Sequence, residues 1–115
     1  MEQEKLSFEV KEKKGHTVIA MIGDLDLHSL QRAKDIVQKL VEAKKTRIVF
    51  DLEKVNYIDT SGLGFFIGTL RKLKDKQGDM RLVNPNAYIS GIFNLINLNK
   101  MIDIYDDIAE AEKGL

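Results

Sequence analysis

At residues 57–64 the chain reads Tyr57-Ile58-Asp59-Thr60-Ser61-Gly62-Leu63-Gly64. Before this stretch, residues 47–52 contain the run Ile-Val-Phe, which is typical of a strand buried in a parallel sheet. After it, apolar residues at helical spacing continue to about Lys76. The stretch is therefore predicted to join the carboxyl end of a strand to the start of a helix, where open α/β sheets usually place their functional sites.

The rest of the chain alternates between strand and helix patterns. Residues 6–12 and Thr17–Ile22 predict an opening hairpin, and Gly23-Asp24-Leu25-Asp26 ends its second strand. A helix capped by Asp26 or Ser29 and containing Leu30 to Val41 follows, and a later strand is predicted from Met80 to Val83. Asn84 and Pro85 are predicted to open the next helix, whose inward-facing residues are Tyr88, Ile89, Ile92, Phe93 and Ile96. The chain is predicted to end with a strand from Met101 to Tyr105 and a short helix from Ile108 to Lys113. The order β-β-α-β-α-β-α-β-α predicts one α/β domain over residues 1–115 with a small mixed sheet.

Composition and charge exclude several classes of protein. The 115 residues include 43% hydrophobic and 31% charged residues, which is too apolar for intrinsic disorder. Eighteen Lys and Arg balance eighteen Asp and Glu, so a net charge of zero argues against nucleic acid as an obligate partner. Without Cys there is no disulfide or thiolate, and two His leave little for a metal centre. No apolar stretch is long enough for a membrane span, and residues 1–5 do not begin a secretory signal, so we expect a cytoplasmic protein.

Ser61 is the residue of the junction best placed for chemistry. A serine at a helix start lies among free backbone N–H groups and at the positive end of the helix dipole, which together can hold a phosphate. The alternative is that Asp59, Thr60 or Ser61 only caps the helix, because polar caps are common.

Three glycines, Gly62, Gly64 and Gly68, lie in or beside the same helix. Each interior glycine costs a helix roughly 1 kcal/mol relative to Ala. Internal packing against the sheet would account for one or two of them. Three, directly after a serine at this edge of the sheet, predict an open surface on which another macromolecule docks.

Other chemistries have weaker support. The glycines lack the spacing of a dinucleotide-binding loop, no P-loop motif occurs, and a nucleophile elbow would need glycines where Asp59 and Leu63 stand. A catalytic pair of His28 and Ser61 is disfavoured, because a surface His at the start of a helix is the commoner state.

The acidic residues leave alternatives open. Asp24, Asp26 and Asp59 could meet and bind a hard cation such as Mg²⁺, or they could cap helices. Asp51 interrupts an apolar strand and either faces the exposed end of the sheet or pairs with a Lys. The basic run at residues 71–76 and the acidic segment at residues 103–112 are predicted to be solvated helix faces.

Two motifs make the chain resemble a STAS domain over its whole length, specifically the small stand-alone anti-sigma-factor antagonists. They are Gly23-Asp24-Leu25-Asp26, and Asp51-Leu52 followed by residues 57–64. The resemblance implies a small sheet with helices mostly packed on one side. In that family the serine just before the first glycine, here Ser61, is phosphorylated by a partner that is both anti-sigma factor and ATP-dependent serine kinase.

The resemblance also implies partners and roles. The unphosphorylated form would bind the anti-sigma factor and release sigma factor, and a metal-dependent serine phosphatase would reverse the modification. Asp26 and Asp59 would contribute to docking or to phosphoacceptor chemistry, and Thr60, Gly62 and Gly64 would lie on the same partner-binding surface. We expect no cofactor, metal or catalytic residue, no contact with nucleic acid or membrane, and a monomer or weak dimer. The chain would not be an enzyme, because the ATP site belongs to the partner.

Two residues depart from the family pattern. Thr60 stands where a second serine is frequent, and Asn97 stands where a glycine often ends the third long helix. Asn is tolerated there because it also adopts the left-handed conformation. Two alternatives share the fold: a scaffold subunit of a stress-sensing STAS assembly, and a cytoplasmic accessory subunit of a transporter. A small hydrolase or nucleotide-binding enzyme using Ser61 is disfavoured, because base and phosphate loop are missing.

Overall fold

A five-stranded sheet and its connecting helices make up residues 6–115, the part of the chain described by the structure, a computed structural model. The elements are β1 Ser7–Lys13, β2 His16–Leu25, α1 Leu30–Glu42, β3 Arg47–Ile58, α2 Thr60–Asp75, β4 Asp79–Val83, α3 Ala87–Leu95, a 3-10 turn Leu98–Lys100, β5 Asp103–Tyr105 and α4 Ile108–Glu112. The prediction that no secretory signal begins at residues 1–5 lies outside the described residues.

The strands lie in the order β1-β2-β3-β4-β5. β1 pairs antiparallel with β2, and the other neighbours pair in parallel. Because parallel crossovers are right-handed, α1, α2 and α3 pack on the same face of the sheet, and α4 packs on the other. The predicted α/β fold, with a mixed sheet, an opening hairpin and helices mostly on one side, is confirmed. The carboxyl ends of β2, β3 and β4 consequently share one edge.

The main core lies between the sheet and helices α1 to α3. Along β3, Ile48 and Phe50 face these helices, whereas Val49 faces α4. Phe50 is fully buried, and its ring centre lies 5.9 Å from that of Phe65 and 5.6 Å from that of Phe66, edge to face. Such aromatic pairs add stability beyond the area that they bury. This cluster fixes α2 over β3 and so positions the first turn of α2.

Helix α4 is attached to the second face of the sheet. Val49 packs with Ala111, and the Glu112 carboxylate contacts the His16 ring nitrogen Nε2 at 2.6 Å. The prediction that the acidic segment at residues 103–112 is a solvated face is therefore wrong at Glu112.

Both central strands run further than predicted. β2 continues past Ile22 to Leu25, and β3 continues past Leu52 to Ile58. The two extensions pair with each other and place Leu25 opposite Ile58. The pairing register shifts after Gly23, which marks a β-bulge, and the φ of 118° at this residue favours glycine. Beyond the bulge the two strands continue to pair. In β3 the polar residues after Leu52, namely Glu53, Lys54 and Asn56, are exposed positions within the strand.

Helix α3 begins later than predicted. Its N-cap is Asn86, whose side chain accepts a hydrogen bond from the Ile89 N–H at 2.8 Å. Asn84, the predicted cap, instead has a φ of 59°, and its N–H donates to the Tyr105 carbonyl at 2.9 Å. Asn84 therefore joins the end of β4 to β5, and the prediction of Asn84 and Pro85 as the helix start is wrong.

The inward face of α3 also differs from the prediction. Ile89 and Phe93 are buried, but Tyr88 and Ile96 are 56% and 44% exposed. Spacing of three and four residues marks two adjacent apolar stripes on this helix, and only the stripe that faces the sheet is covered.

The last strand is shorter than predicted. It begins at Asp103 rather than Met101, because the 3-10 turn Leu98–Lys100 occupies the approach to it. Asn97 precedes this turn with φ 58° and ψ 34°, so its predicted left-handed conformation is confirmed.

Candidate functional site

Two loops meet at the carboxyl edge of the sheet, the turn after β2 and the junction between β3 and α2. Asp59 joins them as the N-cap of α2. One of its carboxylate oxygens accepts the Gly62 N–H at 3.0 Å, and the other accepts the Leu27 N–H at 3.1 Å. The Asp59 N–H donates to the Leu25 carbonyl at 3.3 Å. Asp59 thus holds the helix start that carries Ser61 against the neighbouring turn.

Asp26 shapes the turn after β2. Its Oδ1 accepts the N–H groups of His28 at 2.9 Å and Ser29 at 3.0 Å. The Ser29 hydroxyl accepts the Asp26 N–H at 3.0 Å and donates to the Asp24 carbonyl at 2.8 Å. Of the two predicted caps, Ser29 occupies the N-cap position of α1, but its side chain makes no capping bond to the helix. Asp26 orders the loop that precedes the helix.

Ser61 is the second residue of α2 and is half-buried, whereas Thr60, the first residue, is exposed. The first N–H groups of a helix have no acceptor inside the helix, and here the Asp59 side chain accepts that of Gly62. The Ser61 hydroxyl therefore lies at the positive end of the helix dipole, an environment that favours the negative charge of a phosphate.

The three glycines of α2 have different surroundings. Gly62 is buried, and a Cβ built there would lie 2.5 Å from Ile58 Cγ1 and 2.6 Å from the Leu25 carbonyl oxygen. At Gly64 and Gly68 a Cβ would meet no atom within 4 Å, and both residues are exposed. The prediction that Gly62 leaves room for a partner is wrong, because Leu25 and Ile58 occupy that room.

Three large apolar side chains near the junction are exposed, and they are here called the apolar rim: Leu27, Tyr57 and Tyr88. These residues are 66%, 44% and 56% exposed, and the two tyrosine rings stack with centres 6.5 Å apart. Exposed apolar side chains that contact each other, as the two tyrosines do, are typical of interaction surfaces. None of the three was predicted as part of a docking surface, and Tyr88 was predicted to lie in the core. Of the three, only Leu27 could have been recognised in the sequence as an exposed apolar residue, because it lies inside a polar turn.

The aspartates do not form a cation site. Within residues 6–115, no group of three or more His, Asp or Glu side chains is arranged to hold a metal ion. Asp26 and Asp59 direct carboxylate oxygens at backbone N–H groups, so the geometry supports their alternative role as caps. The Asp51 side chain likewise accepts a hydrogen bond from a backbone group, the Glu53 N–H, at 3.1 Å.

Asp59→Ala is expected to lower the free energy of unfolding by about 1 kcal/mol, because the Gly62 and Leu27 N–H groups lose their acceptor. Asp59→Asn keeps one acceptor oxygen, so it serves as the control that retains the cap on Gly62 and loses only the acceptor for Leu27. Urea unfolding of both variants beside the unchanged chain makes the comparison. Equal midpoints for the Ala and Asn variants would contradict the capping role.

Comparison with known proteins gives the same fold. The chain is 32% identical over 95 residues to an anti-sigma F factor antagonist of Lysinibacillus sphaericus, covering 80% of each chain. The crystal structure of a Thermotoga maritima protein assigned as an anti-sigma factor antagonist superposes with a TM-score of 0.85 and 25% identity over 90% of both chains. The anti-sigma factor antagonist SpoIIAA superposes in its unphosphorylated form with a TM-score of 0.71 and 21% identity, over 95% of this chain and 100% of that one. Its phosphorylated form, from Bacillus, superposes with a TM-score of 0.70 and 22% identity, over 90% of this chain and 96% of that one.

None of the helices in the described part of the chain is both long and apolar enough to cross a membrane.

The family model of the STAS domain matches residues 7–111, which include both motifs and every element from β1 to nearly the end of α4. The chain therefore belongs to the STAS domain family.

Proposed function

We propose that this chain is an anti-sigma-factor antagonist controlled by phosphorylation of Ser61. The unphosphorylated form binds an anti-sigma factor that is also a serine kinase, and sigma factor is released. Phosphorylation ends that binding, and a metal-dependent serine phosphatase restores it. The L. sphaericus relative named as an anti-sigma F factor antagonist supports the class of partner.

The position of Ser61 is the observation that carries the proposal. Ser61 lies half-buried in the first turn of α2, next to the exposed Thr60 and at the edge where Leu27 is exposed. A kinase needs a reachable hydroxyl, and a docking partner needs exposed apolar area around it. Both requirements meet at this edge of the sheet.

Asp26 and Asp59 act in this proposal as positioning residues. Their carboxylate oxygens hold backbone N–H groups of the two loops, so they fix the shape of the docking surface and do not take part in phosphate chemistry. Thr60, Gly64 and the apolar rim supply contacts for the partner. The chain supplies the acceptor hydroxyl and the partner supplies ATP and metal, so the chain itself is not an enzyme and acts in the cytoplasm as a monomer or weak dimer.

Phosphate mapping tests the proposal. The tagged chain captures its anti-sigma factor, which is purified and incubated with the chain and ATP. We expect one phosphate on Ser61, no labelling of Ser61→Ala, and undiminished labelling of Thr60→Ala. A phosphate on Thr60 alone, or full labelling of Ser61→Ala, would overturn the assignment.

A further inference from the structure

A groove of 490 Å³ separates α1 from α2 and begins at Ser61. Its size falls within the roughly 300–1,000 Å³ of binding clefts in proteins. Residues of α2 that are three or four positions apart, from Ser61 to Lys72, line one side, and Leu30, Lys34 and Val37 of α1 line the other. The groove extends the proposed docking surface from the helix start along more than two turns of α2.

Gly64 and Gly68 give the groove its depth. They are one turn apart, so they lie on the same face of α2, and both line the groove. Nothing inside the protein requires them, because a Cβ at either position would meet no atom within 4 Å. Each costs the helix about 1 kcal/mol relative to Ala. Contact with something outside the chain explains a cost that internal packing does not.

The lining of the groove indicates the chemistry of what enters it. The half-buried Leu30 and the nearly buried Val37 and Phe65 make the apolar part of the lining, and the exposed Lys34 and Lys72 supply two positive charges from opposite sides. The Lys72 Nζ contacts the neutral Gln38 side-chain oxygen at 2.7 Å, and no acidic residue lines the groove. Charge complementarity therefore favours an occupant with apolar and acidic side chains.

We propose that this groove receives an amphipathic helix of the anti-sigma factor, with its apolar side on Gly64 and Gly68 and acidic side chains beside Lys34 and Lys72. The inference rests on the proposed function. Helix axes approach most closely where the residues at the contact are small, and two glycines on one face of α2 permit this. A phosphate on Ser61 adds a charge of about −1.5 to −2 at the mouth of the groove, where it repels an acidic occupant. The groove thus explains why a single modification would prevent docking.

Titration calorimetry with the purified anti-sigma factor tests the groove. Gly68→Leu fills the groove with a good helix former, and Gly91→Leu makes the same change at an exposed glycine of α3 that also has open space around its Cβ position. Lys34→Glu reverses a groove charge, and Lys39→Glu reverses one on the other side of α1, beside Phe8. We expect Gly68→Leu and Lys34→Glu to weaken binding at least about tenfold, and the two controls to bind within about twofold of the unchanged chain. Thermal melts verify that all four variants are folded.

The outcomes separate this inference from the proposed function. If the unchanged chain does not bind the anti-sigma factor, the proposed function fails. If the unchanged chain binds and phosphorylation of Ser61 abolishes binding, but Gly68→Leu and Lys34→Glu bind normally, only the groove assignment is overturned. Independently of these variants, a photo-crosslinking residue at position 72 of the otherwise unchanged chain identifies the occupant by peptide mass. An acidic helical peptide of the partner supports the proposal, and a basic peptide or no adduct overturns it.

Discussion

The chain phosphorylated on Ser61 is expected to bind its anti-sigma factor at least about tenfold more weakly than the unmodified chain, at a melting temperature that is unchanged or slightly raised. Burying an uncompensated phosphate in an interface costs several kcal/mol, and each ~1.4 kcal/mol is tenfold in affinity. The fold survives, because a negative charge at the start of α2 interacts favourably with the helix dipole, by ~0.3–1 kcal/mol. Calorimetric titration beside a thermal melt measures both quantities on the same sample.

Ser61→Asp serves as an imperfect stand-in for the phosphate, and Ser7→Asp is the matched control. Ser7 is an exposed residue of the edge strand β1, so the same substitution there adds the same charge two strands away from β3 and its junction with α2. We expect the control to bind like the unchanged chain. Undiminished binding of the phosphorylated chain, or a melting temperature lowered by several degrees, would show that the switch is not a local electrostatic block.

The strand-to-helix junction at Ser61 could be predicted because it depends on local patterns. The apolar run at residues 48–50 and the helical spacing after Leu63 specify the two elements whatever their surroundings. The element order then brings the carboxyl ends of the parallel strands to one edge. These steps need neither an inter-element distance nor a side-chain contact.

The contacts that shape the site could not be predicted in this way. Asp59 accepts an N–H from Leu27, 32 residues earlier, and that pairing exists only because β2 and β3 run to the same edge. Tyr88 has the spacing of a core residue, and only the placement of α3 on the sheet decides that it is exposed. The role of Gly62 likewise depends on where the Leu25 carbonyl lies.

Gly62→Ala is expected to lower the free energy of unfolding by about 1–3 kcal/mol, although the substitution improves helix propensity. The added Cβ would lie 2.5 Å from Ile58 Cγ1 and 2.6 Å from the Leu25 carbonyl oxygen. That oxygen also accepts the Asp59 N–H, so it cannot retreat without loosening the contact between the two loops. For a chain of this size, the loss corresponds to a melting temperature lower by about 4–12 °C.

Gly64→Ala makes the same chemical change two residues further along α2, where the Cβ meets no atom within 4 Å. It should therefore gain up to about 1 kcal/mol from helix propensity and melt a few degrees above the unchanged chain. If Gly62 serves internal packing and Gly64 does not, circular dichroism melts under identical conditions will show a lowered melting temperature for Gly62→Ala and a raised one for Gly64→Ala. A Gly62→Ala protein that melts at or above the unchanged chain would mean that Leu25 and Ile58 can yield to a methyl group. In that case the start of α2 is not held by this contact, and Asp59 alone positions Ser61.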